Sequence, residues 1–209
     1  MEKTSKGKNI VIGIVKVILV VLLALLLFMV VLFSITGLPH HHFEVNNRAE
    51  TTAHNLKNSI SAYFTEYRRY PFENKDSDTT LDSSHALMDI LLGADKEKEP
   101  DKMNPRGIAF FTDRAAKPMG NDRFRSGVTL DADGSGELWD PWGNYYRVRF
   151  DSNYDNQVEN PEVPGTSLPE CILIWSAGED GKFETWKDNV RTWETPVDFP
   201  AFPSFSLPL

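Results

Sequence analysis

The chain has 209 residues, a net charge of −8 and a single cysteine, so an internal disulfide is excluded. Residues 1–16 hold four lysines and one glutamate, which leaves 18 basic and 29 acidic residues and a net charge of −11 for the remainder. So acidic a remainder argues against nucleic acid as a partner. After the N-terminal apolar stretch, roughly 165 residues remain, enough for one ordinary domain and too few for two.

The first predicted element is a membrane helix. Val17–Ile35 contains 19 residues without a charge, and together with Ile10–Lys16 it is long enough to span a hydrocarbon core of about 30 Å. The lysines before it predict a cytoplasmic N-terminus and an extracytoplasmic domain. The alternative is a cleaved signal peptide, but Ser34–Gly37 is a poor cleavage site, so we expect residues 1–36 to form a basic tip and a retained anchor.

Residues 37–48 are predicted to be a linker. Gly37-Leu38-Pro39 should break the membrane helix, because proline lacks an N–H and disfavours helix at the preceding residue. The His40–His42 tract could hold a metal ion or be a polar linker at the membrane surface. Three consecutive histidines on a helix cannot all face one ion, which favours the linker.

The clearest periodicity of the chain predicts a long helix. Its apolar residues are spaced 4, 3, 4, 3 and 4 apart and draw one stripe: Ala49, Ala53, Leu56, Ile60, Tyr63 and Tyr67. The helix should end at Tyr70-Pro71. The stripe is too short for an independent coiled coil, so we expect it to pack on its own domain.

A second, shorter helix is predicted after the polar loop 73–80. Ser83 or Ser84 would be its N-cap, Ala86–Leu92 its body and Gly93 its stop.

Strands are predicted from residue 104 onward. Tyr145–Phe150 alternates apolar and polar residues, whereas Cys171–Trp175 is apolar on both faces and suits a central strand. Gly107–Thr112 and Val128–Leu130 are shorter candidates. Helices followed by strands and turns indicate an α+β fold with an antiparallel sheet. We expect the Pro- and Phe-rich tail 196–209 to lie extended along the domain or to fray.

Three stretches resemble one known family. Asn55–Pro71 is similar to the helix that ends in a Tyr-x-x-x-Pro-like turn in pilin-type proteins. Leu138–Phe150 contains Asp-Pro-Trp-Gly-Asn-Tyr-Tyr, and Leu173–Trp193 contains Ser-Ala-Gly-Glu-Asp-Gly followed by Asp-Asn-Val. The last two stretches, in this order, resemble the major pseudopilin of type II secretion, a member of the pilin superfamily.

The resemblance implies a pilin-like domain over residues 49–195, in which a long helix packs on an antiparallel sheet. It implies a structural protein rather than an enzyme, held in the bacterial inner membrane with its domain in the periplasm. The implied partners are further copies of the chain, other pseudopilins, or membrane proteins of a type II secretion or type IV pilus-like apparatus.

The N-terminus departs from the family pattern. Prepilin peptidase cuts after a glycine that is followed by Phe/Met-Thr-Leu-x-Glu, but Gly7 is followed by Lys-Asn-Ile-Val-Ile and Gly13 by Ile-Val-Lys-Val-Ile. Neither run has the glutamate that would neutralise a neighbour's amine inside a filament. A stationary, membrane-tethered binding module on a pilin fold is therefore the alternative.

The resemblance also implies a calcium loop over Ser176–Asn189. By motif matching, Asp180 and Asp188 would supply charge, and Ser176 and the backbone would complete the shell. Asn189 stands where the family has a second aspartate, so it keeps an oxygen and loses a charge.

Two further loops have carboxylates at ligand-like spacing. Asp131–Glu137 begins like an EF-hand loop, but its twelfth position is Trp142, so we expect a turn between strands. Asp151–Asn156 has Glu162 at the twelfth position, and Asn156 stands where the loop requires glycine. Asparagine can adopt the left-handed conformation, so this geometry stays open.

No catalytic pattern is evident in the sequence, and we expect no enzyme. Cys171 lies in an apolar run and is predicted to be a buried small hydrophobe. Surface helix positions explain His54 and His85. There is neither a Gly-x-Ser-x-Gly nucleophile motif nor a phosphate-binding loop.

Overall fold

The computed structural model describes residues 3–73, 77–97 and 102–193, and within these it describes no side chains of residues 3–13 and 32–42. The chain divides into two compact units, with the boundary between Val45 and Asn46. The predicted tail 196–209 lies outside the described residues.

The described elements are two helices and nine short strands, which confirms the α+β class. In chain order they are α1 (Lys3–Tyr67), β1 (Thr79–Asp82), α2 (His85–Leu91), β2 (Lys117–Gly120), β3 (Arg123–Arg125), β4 (Gly127–Leu130), β5 (Gly136–Trp139), β6 (Arg147–Phe150), β7 (Val158–Glu159), β8 (Ser167–Leu168) and β9 (Ile172–Trp175).

The first unit consists of the N-terminal part of α1. Its residues Ile14–Val31 are long and apolar enough to cross a membrane, and none of them is buried within the protein. A signal sequence near the N-terminus can also satisfy this test of length and composition. Length and composition therefore fit either a membrane anchor or a signal sequence.

The predicted break at Gly37-Leu38-Pro39 is wrong, because the backbone of α1 is helical from Lys3 to Tyr67 and therefore through all of residues 37–48. A proline inside a helix removes one hydrogen bond and costs about 3 kcal/mol. Ile35, Thr36 and Gly37, just before the proline, are weak helix formers, so local propensity does not explain the continuity. On the C-terminal side, the stripe that begins at Ala49 packs on the domain, and such packing supplies most of a helix's stability.

The second unit has one main hydrophobic core. The stripe of α1 supplies Leu56, Ile60 and Tyr63, which are all fully buried, as the spacing predicted. The same core contains Val148 and Phe150 of β6, Tyr146 just before that strand, and the apolar face of α2.

α2 matches the prediction closely. Ser84 is its N-cap and the helix ends before Gly93, which has φ +82°. A Cβ at Gly93 would lie 2.7 Å from the carbonyl oxygen of Gly107, so glycine is required both by the turn and by the close approach of the two backbones.

The main sheet has three antiparallel strands in the order β1-β6-β9. Val148 of β6 lies opposite Leu81 on one side and Ile174 on the other. The sheet is therefore centred on β6, and the prediction of a central β9 is wrong. All four residues of β9 are buried nonetheless, because Leu173 and Trp175 face a second apolar cluster with Val158, Leu168 and Trp193.

Three other predictions concern local structure. Gly107–Thr112 is not a strand: the N–H groups of Phe110 and Phe111 both bond to the carbonyl of Leu91 at the end of α2. The run is apolar because Phe111 enters the core and not because it pairs in a sheet. Strand β1 begins inside the stretch predicted to be a polar loop. Cys171 is exposed and not buried.

Candidate functional site: the C-terminal loop

The loop Ser176–Asn189 follows β9 and returns along the edge of that strand. The N–H of Ser176 bonds to Val190 O at 2.9 Å, and the N–H of Thr192 bonds to Ile174 O at 2.9 Å. The returning segment thereby covers the backbone edge of β9, which would otherwise be an open sheet edge. Both ends of the loop are fixed against the sheet.

Gly178 brings the two halves of the loop together. Its φ is +65°, and a Cβ there would lie 2.6 Å from the carbonyl oxygen of Asp188. Only glycine tolerates both conditions, so this residue allows Asp188 to approach the first turn of the loop. The Oδ2 atom of Asp188 then accepts the N–H of Asp180 at 3.0 Å.

The carboxylate of Asp180 is engaged within its own turn. Its Oδ1 accepts the N–H of Lys182 at 2.8 Å, and its Oδ2 accepts the hydroxyl of Thr185 at 2.6 Å. The bond from Thr185, followed by that from Lys182, lowers the pKa of Asp180. The group is thus a carboxylate whose two oxygens already have donors.

Among the four predicted ligands, Asn189 and Ser176 are buried. The Nδ2 of Asn189 donates to Phe183 O at 3.1 Å, whereas its Oδ1 is buried and has no hydrogen-bond partner among the described residues. The hydroxyl oxygen of Ser176 accepts the N–H of Gly178 at 3.2 Å. An unpaired buried acceptor is unusual and costs stability unless a partner outside the protein satisfies it.

Beside the loop, three tryptophans contact one another. The ring centroids of Trp175, Trp186 and Trp193 lie 5.8 to 6.3 Å apart. The indole nitrogens of Trp175 and Trp193 are buried without a hydrogen-bond partner in the described part of the chain. Because Trp186 belongs to the loop, the fluorescence of this cluster should change when the packing of the loop changes.

The structure thus joins Asp180 to Asp188 through one backbone bond and buries Ser176 and Asn189 in the same loop. It does not bring the two carboxylates together as a pair of free ligands. Among the side chains that the structure describes, no group of three or more from His, Cys, Asp and Glu is arranged to hold a metal ion; the side chains of His40–His42 lie outside that described set.

In the other two carboxylate loops, the carboxylates accept hydrogen bonds from within their own turns. Asp131–Ser135 is the turn between β4 and β5, as expected, and Ser135 bonds to the carboxylates of Asp131 and Asp133. Asp151 is buried and accepts the N–H groups of Asp155 and Asn156, so it caps the turn after β6.

Residues 153–162 complete the third loop. Asn156 has φ +63°, the left-handed conformation that the sequence left open. Glu162, at the twelfth position, forms an ion pair with Arg191 at 3.0 Å.

Sequence reasoning missed Asp140, in the Asp-Pro-Trp-Gly stretch. Its side chain is fully buried; Oδ1 accepts the N–H groups of Trp142 and Asn144, and Oδ2 has no partner in the described structure. Burial raises the pKa of Asp140 to about 7, although the backbone hydrogen bonds oppose this shift. The only sequence sign is an aspartate between tryptophans.

His85 also has more partners than a surface helix position implies. Its Nδ1 lies 3.0 Å from Asp89 Oδ1, and its Nε2 lies 3.9 Å from carboxylate oxygens of both Asp131 and Glu137. The hydrogen bond with Asp89 raises the pKa of His85. The spacing of His85 and Asp89, four residues apart on α2, is the signal that could have indicated this pair.

In comparisons with protein-family models, with curated proteins and with solved structures, nothing matches this chain.

Proposed function

We propose that this chain is a membrane-anchored, pseudopilin-like structural protein of a type II secretion or type IV pilus-like apparatus, which assembles through helix packing. One observation carries the proposal: α1 is apolar and unburied over Ile14–Val31, whereas its stripe from Ala49 to Tyr63 lies in the core of the second unit. The same helix thus supplies an exposed apolar surface over residues 14–31 and a packed scaffold for the domain.

An exposed apolar helix requires lipid or the helices of neighbouring subunits. In the family that the motifs resemble, such helices pack side by side. The proposed role is therefore assembly and contact, without a chemical reaction. We place the chain in the bacterial inner membrane with a cytoplasmic N-terminus and a periplasmic domain, and with further copies, other pseudopilins or secretion-system membrane proteins as partners.

The intact mass of the protein from its native membrane tests this proposal. Removal of a leader that ends at Gly7 or Gly13, with a methyl group on the new N-terminus, is the result expected of a filament subunit. Cysteines placed along residues 17–31 of a Cys171→Ser chain should then cross-link into a ladder of oligomers. A full-length mass of 23.7 kDa together with no ladder would overturn the filament role.

The second candidate is a stationary tethered binding module, and the N-terminal sequence favours it. Neither Gly7 nor Gly13 is followed by the peptidase motif or its glutamate. A full-length mass with membrane retention is the expected result for this candidate.

We further propose that the C-terminal loop binds calcium. Calcium prefers hard oxygen ligands, and the loop offers the carboxylate of Asp188, the unpaired Oδ1 of Asn189 and backbone carbonyls. Asp180 fits less well, because both of its oxygens have donors in the turn. A bound ion would join the two halves of the loop and stiffen the C-terminal end of the domain.

Thermal unfolding in calcium and in chelator tests this site, with tryptophan fluorescence as the readout. Calcium at about 100 times its dissociation constant should stabilise the domain by about 2.7 kcal/mol. Asn189→Ala should weaken that gain, whereas Asn58→Ala, the same substitution on the exposed side of α1, should keep it. Equal melting curves with and without calcium would refute the proposal.

A further inference from the structure

The β2–β3 hairpin is an exposed ribbon that pairs with no other described strand. All four residues of β2 are exposed, including Met119 at 46%. The ribbon is nevertheless held to the domain, because Arg123 Nη2 donates to Gly143 O at 2.9 Å and the ring of Phe124 lies 6.1 Å from that of Trp139. It therefore presents its side chains from a fixed position.

Four exposed basic residues in or beside this hairpin are connected by the contacts given next, and we name them the cationic row: Arg48, Arg114, Lys117 and Arg125. Lys117 lies directly opposite Arg125 in the hairpin register. The Nε of Arg114 donates to the carbonyl of Ser126, which is next to Arg125. Arg114 and Arg48 line the same surface groove of about 340 Å³, in which Asp113 is the one acidic residue.

The row concentrates like charges on an otherwise acidic domain. Two cations directly opposite each other on paired strands destabilise a sheet. Among the described residues, no carboxylate forms an ion pair with Arg48, Lys117 or Arg125, although the chain has 30 acidic residues. An arrangement that is unfavourable in the isolated domain becomes favourable against an anionic surface.

We infer that the cationic row docks on the anionic phospholipid headgroups of the membrane that holds the anchor. This inference rests on the membrane-anchoring part of the proposed function. Arg48 is five residues after Phe43, an aromatic side chain that is 67% exposed, so at most about 18 Å of chain separates the two residues. Phe43 in turn lies 12 residues after Val31, the end of the exposed apolar segment, so the row is close to the anchor along the chain.

A tethered basic patch meets the bilayer at a high effective concentration, so modest contacts suffice. Each lysine or arginine close to an anionic bilayer contributes about fivefold in affinity, and the effect falls off within a Debye length of about 10 Å at 0.1 M salt. Met119 of β2, which is half exposed, adds an apolar side chain that can enter the headgroup layer. The docked row would fix the orientation of the domain on the membrane.

The test is hydrogen exchange of the full chain in nanodiscs that hold one copy each. One set contains only phosphatidylcholine, and in the other about a third of the lipid is phosphatidylglycerol. We expect the amides of residues 117–125 to exchange at least about fivefold more slowly in the anionic discs, and we expect about 0.5 M salt to abolish the difference.

The variant Lys117→Gln with Arg125→Gln should remove this protection. Its matched control is Arg68→Gln with Lys102→Gln, which removes the same charge elsewhere. Arg68 lies 20 residues beyond Arg48, about 30 Å away along a helix. The control should keep the protection.

Three results would overturn the inference. Equal exchange in neutral and anionic discs would show that lipid charge has no role. Protection in neutral discs on adding inorganic phosphate at matched ionic strength would indicate a site for free phosphate. Protection only on adding a second copy of the chain would indicate a protein partner. A chain that leaves the discs altogether would instead refute the anchoring proposal, so the two failures are distinguishable.

Discussion

Two segments of α1 show opposite relations between sequence and surroundings. Apart from Lys16 near its start, Ile14–Val31 is apolar on every side and none of it is buried, whereas the segment from Ala49 to Tyr63 is apolar on one stripe and that stripe is fully buried. The first segment has no polar face to turn towards water. The second has polar residues on its outer side, such as Asn58.

The difference teaches that periodicity identifies the surroundings of a helix more securely than its ends. A stripe of 3.6-residue period needs a folded domain on one side and water on the other. Uniform apolarity needs an apolar medium on all sides. The two segments should therefore respond in opposite ways to substitution, and the following experiments separate them.

The largest effect is expected from charges in the apolar segment. Leu22→Lys with Leu26→Lys should cost about 5–7 kcal/mol of insertion free energy, because each lysine at the centre of a membrane helix costs about 2.5–3.5 kcal/mol. The fraction of protein that resists alkaline extraction from membranes measures this loss. Thr51→Lys with Ser61→Lys, on the exposed side of the packed segment, should leave extraction unchanged. Full retention of the first variant would contradict the anchor.

Removing apolar side-chain volume should affect the packed segment of α1 and not its membrane insertion. Leu56→Ala should lower the free energy of unfolding of the domain by about 2–5 kcal/mol, since Leu56 is fully buried in the main core. Urea unfolding measures this change. Asn58→Ala, two residues further along and on the exposed side of α1, should change stability by less than about 0.5 kcal/mol. Equal effects of the two substitutions would mean that the stripe does not pack as described.

A buried carboxylate gives the packed unit a pH response that the apolar segment lacks. Because burial raises the pKa of Asp140 from 3.8 to about 7 in the folded state, the folded protein holds this proton more tightly than the unfolded chain. Its contribution to stability is therefore fully present below pH 3.8 and is lost as the pH rises through about 7.

The size of this loss is on the order of 2–4 kcal/mol, at about 1.4 kcal/mol for each pKa unit. Asp140→Asn should flatten the dependence of the unfolding free energy on pH in this window, even if it lowers the absolute value. Chemical unfolding at a series of pH values measures the slope. Asp113→Asn, an exposed aspartate, should retain the slope of the unsubstituted protein, and an unchanged slope in Asp140→Asn would contradict the assignment.

Periodic elements were predictable from the sequence, and long-range pairing was not. The stripe of α1, the cap and stop of α2 and the alternation in β6 are local patterns, and all three are confirmed. Strand order depends on residues far apart in the chain. The burial of β9 on both faces arises from the Trp193 segment and not from a central position, which no local pattern could reveal.

The candidate site was predictable to the same extent. Motif matching placed Asp180, Asp188 and Asn189 in one loop, but it could not show that Thr185 and Lys182 occupy the oxygens of Asp180. The prediction that Cys171 is buried was wrong for a related reason. It stands beside an apolar strand in sequence, yet its own side chain faces outward before the strand begins at Ile172.

The smallest effect on stability should come from the edge of β9, where the hydroxyl of Thr192, and not a backbone carbonyl, accepts a strand N–H group. The Oγ1 of Thr192 accepts the N–H of Ile174 at 3.0 Å, so Thr192→Val would leave that buried donor unpaired while preserving shape. We expect a loss of about 1–3 kcal/mol in unfolding free energy, measured in urea, and faster exchange of the Ile174 amide. Thr166→Val also removes a hydroxyl bond, but at an exposed site, so it should cost less than about 0.5 kcal/mol. If both variants were equally stable, the returning segment would not be closing the sheet edge. In a helix, by contrast, the backbone N–H groups bond to carbonyls of the same helix and do not depend on a side-chain hydroxyl. The packed unit should therefore be sensitive to the loss of a single hydroxyl, and the apolar segment of α1 should not.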